Sequence, residues 1–407
     1  MTVDTLPQQP RTAAAPPGGL GRRQVHAVAA CYFVASFAAL GLPPYLTAIL
    51  PGLGDSQARW AGVLYIVPTV FSALGAPLWG RLADRFGRKR LLLRAQLGLT
   101  VSFLLAGAAD SLPAFTLALV LQGFLGGTFA ATNGYLAAAL DGPRLSRALT
   151  LMQGSARAAL VAAPILVGAL SPWVGPHRQY LVMAVLPLAA AVFLSLLPEP
   201  EHPEAPEAAP GRDAEKPATT PLLPLYAFEF AFVFATVISF PYLIALAQQR
   251  LPGVDGTTTG VLFALPHLWY LVFAARTHTV FHSRPHTGIA LGFGFVALGL
   301  AGHAVAYSLP VFIAVRLLLG IGLTLGLVCL AVLAAGAAKG RPPGRMFGTL
   351  ELVSKGGAVA AGAVAALANG RFGAAAPVVA GTAAALLAAL AATALTLPSV
   401  RQRWSRR

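Results

Sequence analysis

Residues 80–90 read Gly-Arg-Leu-Ala-Asp-Arg-Phe-Gly-Arg-Lys-Arg, a short basic segment with two glycines and one acid, Asp84. The glycines, Gly80 and Gly87, permit a tight turn and a close approach of the backbone to its neighbours. The carboxylate of Asp84 can bond an adjacent arginine and a helix end, a contact that one conformation makes and another breaks. The arginines taken singly would also fit an ordinary basic loop beside a membrane. As a whole, the segment predicts a turn between two helices that takes part in a conformational change.

This segment separates two of twelve apolar runs, each close to the roughly 20 residues that a helix needs to cross a bilayer. The chain is 57% hydrophobic and 11% charged, with a mean hydropathy of +0.70. A soluble globular protein carries about 25% charged residues, so the composition excludes that class. The sequence predicts an all-α membrane protein. The runs lie at about 25–50, 60–80, 91–109, 113–138, 148–170, 179–197, 222–247, 257–275, 287–307, 310–336, 347–368 and 373–397.

Polar segments divide the chain into two sets of six helices. The first residues are rich in Pro, Ala and Gly and lack the pattern of a signal peptide. A Pro- and Glu-rich segment in mid-chain has the composition of a linker. The expected organisation is a disordered cytoplasmic tail at 1–24, six helices at 25–197, a cytoplasmic linker at 198–221, six helices at 222–397 and a basic cytoplasmic tail at 398–407.

Basic residues fall mainly on one side of the predicted membrane. Twenty-one of the 29 Lys and Arg residues lie in the segments of one side, and only Arg59, Arg178, Arg250 and Arg371 lie in those of the other. Positive residues near helix ends stay in the cytoplasm, so both termini are expected inside, in a bacterial-type inner membrane. The net charge of +15 then needs no nucleic-acid partner. Two cysteines in apolar runs offer neither a disulfide framework nor a metal site, and no cofactor is predicted.

The segment at 80–90 closely resembles the signature loop of the major facilitator superfamily, which also follows the second helix. A degenerate second copy at 275–284 lacks the acid and the glycines. The resemblance implies twelve transmembrane helices in two six-helix bundles, which rock about a central cavity where the solute binds near the midplane. It also implies that part of the loop closes the cytoplasmic side. The gating residues would be Gly80, Asp84, Arg85, Gly87 and Arg88.

Two further family patterns are incomplete. The fourth run has Leu119 where many members of the family have arginine, whereas the tenth run has Arg316 in the equivalent place. The fifth run has Pro164 without the full glycine pattern of proton-driven drug exporters. These gaps argue against a standard drug antiporter, although Pro164 still predicts a bend.

Ionisable residues within the runs are functional candidates, because each costs several kcal/mol in a membrane unless it meets a partner or water. Without Arg94, which lies one turn from a helix end and should reach headgroups or support the loop, three bases face two acids. This surplus favours an anionic or zwitterionic solute, whose carboxylates arginine can bind through two hydrogen bonds. Alternatively, Glu351 and Lys355 form an internal ion pair, and the glutamines join helices. The predicted solute-binding residues are Arg157, Arg316, Lys355, Gln122 and Gln153.

Two carboxylates are candidates for proton coupling, Glu229 first and Glu351 second. An acid in an apolar helix changes its proton affinity when a cation from another helix approaches or leaves. Glu229 has no basic residue within one turn on its own helix, so a partner could come and go between conformations. The alternative is a permanent pair with Arg316 or Arg157 that only balances charge.

Three stretches, at 122–133, 155–157 and 347–356, are similar to the branch of the superfamily that exports carboxylate-type siderophores. The expected function is therefore a proton-coupled exporter of such a solute, working as a monomer whose partners are the solute, protons and membrane lipid. A broad-specificity multidrug/proton antiporter is the first alternative. A metabolite importer and a non-transporting membrane receptor follow. An enzyme is not expected, because no HExxH motif, nucleotide loop or convincing catalytic triad is present.

Overall fold

The computed structural model describes residues 20–140, 142–197, 222–337 and 343–396. These residues form α-helices and 3₁₀ turns and no strand, which confirms the all-α class. Ten helical segments of the described chain are long and apolar enough to cross a membrane, and two shorter apolar helices, Leu112–Leu125 and Gln179–Ser195, lie between them. Twelve spanning helices in two bundles stays a prediction. The predicted linker, the C-terminal tail and residues 1–19 of the N-terminal tail lie outside the described residues.

The helices follow one another with short connections. They are α1 (Arg22–Gly41), α2 (Leu46–Ile49), α3 (Ala61–Phe86), α4 (Arg88–Ala108), α5 (Leu112–Leu125), α6 (Thr128–Ala139), α7 (Gly142–Leu170), α8 (Pro176–Met183), α9 (Val185–Ser195), α10 (Leu222–Val237), α11 (Leu243–Arg250), α12 (Gly256–Phe281), α13 (Pro285–Val305), α14 (Leu309–Ala337), α15 (Pro343–Phe372) and α16 (Ala376–Thr396). Below, the inner end is the end with the α3–α4 turn, and the outer end is the opposite one.

The predicted fourth helix is interrupted, which corrects the single run at 113–138. Helix α5 ends at Leu125 and α6 begins at Thr128, and Gly127 between them has a φ of 77°. Only glycine adopts this left-handed conformation readily, so two consecutive glycines allow the chain to leave one helix and start another.

The two halves of the chain meet at two helix crossings near the outer end. Helix α7 packs along α12, and α3 packs along α15. A Cβ on Gly62 would lie 2.7 Å from the Gly362 carbonyl oxygen, and one on Gly256 would lie 2.6 Å from the Gly168 carbonyl oxygen. Because these four positions carry no side chain, the backbones touch directly. The outer end is therefore closed.

A repeated Pro-Tyr-Leu sequence places one tyrosine at each crossing. In both halves the proline interrupts a helix with a 3₁₀ turn, Pro43–Tyr45 and Phe240–Tyr242, before a short helix follows. The buried Tyr45 hydroxyl donates to the Pro164 carbonyl oxygen of α7 at 2.5 Å. The Tyr242 hydroxyl accepts from the Gly62 N–H of α3 at 3.0 Å. The two bonds support the same closed end in a pseudo-symmetric way.

Candidate functional site

A cavity of about 190 Å³ lies between α1, α3, the α5–α6 break and α15. Its polar lining includes Gln122 and Thr128 from the first half of the chain and Glu351 and Lys355 from the second. The Glu351 side chain is 68% exposed, so solvent reaches this region. Two halves that close at the outer end thus leave a solvated site between them, where a solute can bind.

Glu351 and Lys355 form the ion pair that their spacing on α15 predicts. The Lys355 Nζ lies 3.5 Å from Oε1 of Glu351, one turn away. Exposed pairs of this kind contribute about 0.2–1 kcal/mol, so little free energy opposes their separation. Either group is therefore available to a solute or a proton.

Glu229 reaches the same region from α10. Its carboxylate accepts a hydrogen bond from the Ser354 hydroxyl of α15 and lies within electrostatic range of Glu351. No ion pair joins Glu229 to Arg157 or Arg316 in this conformation of the described chain. Sequence reasoning does not single out Ser354, because serine is common in membrane helices and its partner Glu229 lies on another helix.

Arg157 approaches from α7. Its guanidinium carbon lies 5.7 Å from the centre of the Tyr270 ring of α12, close enough for a cation–π interaction. Tyr32 of α1 lies within electrostatic range of both Arg157 and Glu351. The structure thus brings Arg157, Glu351 and Glu229 to one region and adds Tyr32, while the roles predicted for these residues stay predictions.

Arg316 has a different environment. It is fully buried, with its Nε 2.6 Å from the Leu262 carbonyl oxygen and its Nη2 2.8 Å from that of Phe263. Pro266, four residues after Leu262, has no N–H to offer that carbonyl. Arg316 therefore replaces the hydrogen bond to Leu262 that the proline removes from α12 and adds one to the Phe263 carbonyl. A solute contact by Arg316 stays a prediction, for which only Nη1 has no partner in the described chain.

Arg94 stabilises the end of α5. Its Nη1 donates to the Leu125 carbonyl oxygen at 2.5 Å, and its guanidinium carbon lies 3.4 Å from the centre of the Trp79 ring. The Trp79 Nε1 donates to the Phe124 carbonyl oxygen at 2.6 Å. Arg94 thus connects the helix break to Trp79, the residue before the signature segment at 80–90. The sequence predicts that Arg94 supports this segment, but not through which contacts.

The two predicted glutamines differ in position. Gln122 lines the cavity, is buried, and its Oε1 has no hydrogen-bond partner within the described residues. Gln153 is exposed on α7 and is not among the residues that line the cavity. Only Gln122 is therefore placed to contact a solute in this cavity.

The signature segment is more helical than a loop with glycine at both ends would be. Residues 80–86 continue α3, and only Gly87, with a φ of 91°, separates α3 from α4. The tight turn predicted at Gly87 is confirmed, whereas Gly80 lies inside α3. Arg85 is exposed, with its guanidinium carbon 5.3 Å from the centre of the Phe86 ring. The side chains of Asp84 and Arg88 lie outside the described part, so the gating role stays a prediction.

We expect Asp84→Asn to preserve membrane insertion and to lower turnover about tenfold, the effect of losing one charge-assisted hydrogen bond in a closed state. The measurement is solute transport in membrane vesicles at equal protein level. Asp84→Glu keeps the charge and serves as the control. Turnover of Asp84→Asn at the wild-type rate would remove this residue from gating.

Comparisons with known proteins agree with this architecture. The sequence profile described as Major Facilitator Superfamily matches residues 28–278, more than half of the chain. The chain is 34% identical over 161 residues to "Multidrug resistance protein MdtG" of Dickeya zeae (strain Ech586), covering 38% of this chain and 39% of that protein. It is 34% identical over 158 residues to the protein of the same name from Serratia proteamaculans (strain 568), covering 38% of each. The matched region thus spans about two fifths of these relatives.

Solved structures share the fold at low sequence identity. A POT family transporter in complex with 5-aminolevulinic acid superposes with a TM-score of 0.74 at 14% identity, over 93% of this chain and 96% of that one. The human organic anion transporter MFSD10 (TETRAN) superposes with a TM-score of 0.65 at 20% identity, over 93% and 100%. With its apolar helices, its two crossings and its profile match, this multi-pass membrane chain belongs to the Major Facilitator Superfamily, a family of membrane transporters.

Proposed function

We propose that the protein is a proton-coupled exporter of a small anionic or zwitterionic solute, with carboxylate-type siderophores as the favoured class. It would work as a monomer in a bacterial inner membrane, with both termini in the cytoplasm. The observation that carries the proposal is the environment of Arg157. This partly buried cation has no ion-pair partner among the described residues. An uncompensated guanidinium in a membrane is costly, and a solute carboxylate would compensate it through two hydrogen bonds.

Proton coupling would act through the acids on the other side of the site. Glu229 is hydrogen-bonded to Ser354, the neighbour of Lys355 in the chain, and lies near Glu351. Protonation of Glu229 would remove one negative charge from this group. A positive group of a zwitterionic solute would compete with that proton for the carboxylate, so a proton entering from outside would release the solute there and drive its export.

Export requires that the closed outer end opens, so the tyrosine contacts must break in each cycle. We expect Tyr242→Phe to favour the outward-open conformation by about 1–2 kcal/mol, because the buried Gly62 N–H at the start of α3 loses its acceptor. The measurement is the spin–spin distance between labels at the exposed positions Ser56 and Thr257, which lie on opposite halves at the outer end.

Tyr307→Phe is the matched control. Tyr307 is 68% exposed at the same end, and its ring, which packs on Arg250, would be kept. An unchanged distance distribution in Tyr242→Phe would show that this hydroxyl does not hold the outer end closed.

The proposed function is tested in proteoliposomes with an imposed pH gradient. Labelled citrate represents the carboxylate class, and ethidium represents cationic drugs. Gradient-driven movement of citrate without ethidium supports the proposal. Movement of ethidium alone would replace it by the second candidate, and movement of neither would reject both proton-coupled proposals for these solute classes.

A multidrug/proton antiporter is the second candidate. The relatives from Dickeya zeae and Serratia proteamaculans favour it, because both carry the name multidrug resistance protein and match this chain at 34% identity. In the described site two bases, Arg157 and Lys355, balance two acids, Glu229 and Glu351, so the preference for an acidic group rests on Arg157, which has no ion-pair partner there.

A further inference from the structure

The break between α5 and α6 exposes two sets of backbone groups. A helix end leaves its last carbonyls without intrahelical donors, and a helix start leaves its first N–H groups without intrahelical acceptors. Here both sets face each other across Gly126 and Gly127. Side chains from other helices bind the carbonyl groups, whereas the N–H groups have no side-chain cap.

The carbonyl side of the break is satisfied by side chains. Trp79 donates to the Phe124 carbonyl and Arg94 to the Leu125 carbonyl. Both donors come from other helices, α3 and α4, and the Arg94 guanidinium lies over the Trp79 ring. The carbonyl groups freed by the break therefore have partners within the protein.

The amide side is not capped by a side chain of the residue that precedes α6. The first hydrogen bond of α6 is donated by the Ala131 N–H to the Gly127 carbonyl, so the three preceding N–H groups have no intrahelical acceptor. The preceding residue, Gly127, offers no side-chain cap. The Thr128 hydroxyl is buried, 5% exposed, and also has no hydrogen-bond partner in the described chain.

These groups adjoin the cavity rather than packed protein. Gly126, Gly127 and Thr128 line it, as does Gln122, whose Oε1 is likewise unpartnered within the described residues. Lys355 and its ion-pair partner Glu351 line it from α15. A helix start carries about half a positive elementary charge, and an ammonium group lies in the same cavity lining.

We propose that the start of α6, with the Thr128 hydroxyl and Lys355, is an anion cradle that binds one acidic group of the solute, a carboxylate or a phosphate-like group. This inference rests on the proposed function and names a second anchor beside Arg157. The backbone N–H groups and the hydroxyl donate to the anion. Lys355 supplies the positive charge when its ammonium group leaves Glu351 and pairs with the acidic group of the solute. The Gln122 side-chain amide contacts the uncharged part of the solute.

The location of binding is tested by nuclear magnetic resonance on the full chain labelled with ¹⁵N-threonine. Citrate and sulfate are the anionic probes, and triethyl citrate is the uncharged probe with the same skeleton. The Thr128 amide, assigned by its loss in Thr128→Val, should shift saturably with both anions and not with the ester. The Thr382 amide of α16, far along the chain from the cavity residues, should not move.

The contribution to affinity is tested by calorimetry with citrate. Thr128→Asp places a permanent carboxylate at the helix start, where the dipole favours it, and should weaken citrate binding at least tenfold without loss of thermal stability. Ser308→Asp adds the same charge before α14, at an exposed position outside the cavity, and should bind as wild type. Thr128→Val removes only the hydroxyl and should give a smaller loss.

The outcomes separate the cradle from the proposed function. No shift of the Thr128 amide with either anion, or unchanged citrate affinity in a folded Thr128→Asp, overturns the cradle even if citrate is transported. A saturable shift in a protein that moves no citrate under a pH gradient keeps the cradle and rejects the transport proposal. Should Thr128→Asp not fold, the amide shift and Thr128→Val decide.

Discussion

Replacing Arg157 by glutamine is expected to weaken the binding of a carboxylate solute by about 10- to 100-fold, because a hydrogen bond to a charged group contributes about 1.5–3 kcal/mol. The guanidinium lies in α7, packs on the Tyr270 ring and has no ion-pair partner in the described chain. Its loss therefore removes a positive charge without leaving an acid unpaired there. The fold should be preserved, and titration calorimetry with citrate measures the effect.

Two further variants sharpen this test. Arg157→Lys keeps the charge but loses the planar group that binds a carboxylate through two hydrogen bonds, so an intermediate affinity is expected. Arg316→Gln removes the donors to the Leu262 and Phe263 carbonyls and should lower the thermal stability more than the affinity. Wild-type affinity in Arg157→Gln would show that the solute does not bind this cation. A selective loss of affinity in Arg316→Gln would instead assign solute binding to Arg316 of α14.

The features predicted correctly from sequence are those that local rules determine. Apolar runs of membrane length predict the helices, and the glycine at position 87 predicts the turn because it is the residue that a positive φ requires. The Glu351–Lys355 pair follows from a spacing of four residues on one helix. None of these predictions needs knowledge of which helices are neighbours.

The features that sequence reasoning missed depend on neighbours. The carbonyl partners of Arg316 lie 53 and 54 positions earlier in the chain, and its position in the tenth run does not indicate them; a solute contact by this cation stays a prediction. Pro266 was a usable signal, since a proline within a membrane helix leaves a carbonyl that needs a donor. The break at Gly126–Gly127 had its signal in the paired glycines, but glycine pairs also serve helix packing in membranes, and the sequence alone does not separate the two roles.

The region around the cavity also depends on contacts between helices that lie far apart in sequence. Glu229 and Ser354 are brought together because α10 packs against α15. This contact matters for coupling, since the partner of Glu229 is a neutral hydroxyl in the outward-closed conformation. A hydroxyl can donate to a carboxylate or accept from a carboxylic acid, so it serves both protonation states.

Glu229→Gln is expected to abolish solute accumulation driven by a pH gradient while solute exchange across the membrane continues. One pH unit corresponds to about 1.4 kcal/mol, which can drive about tenfold accumulation per coupled proton. Glutamine accepts the Ser354 hydroxyl bond and keeps the shape of the side chain, but it neither gains nor loses a proton. The accumulation ratio should therefore fall to about one, since nothing couples the solute to the gradient.

The measurement compares gradient-driven accumulation with exchange at equal pH in proteoliposomes containing the wild type, Glu229→Gln, Glu351→Gln or Asp110→Asn. Asp110 is exposed in the α4–α5 connection at the outer end, so its replacement removes an acid without touching the site. Accumulation should persist in Asp110→Asn. Loss of accumulation in Glu351→Gln alone would assign proton coupling to the Glu351–Lys355 pair instead of Glu229. Lys355 is close enough to Glu351 to pair with an acidic group of the solute when Glu351 is protonated. Undiminished accumulation in both glutamate variants would exclude coupling through these carboxylates, and the driving ion would then have to bind elsewhere.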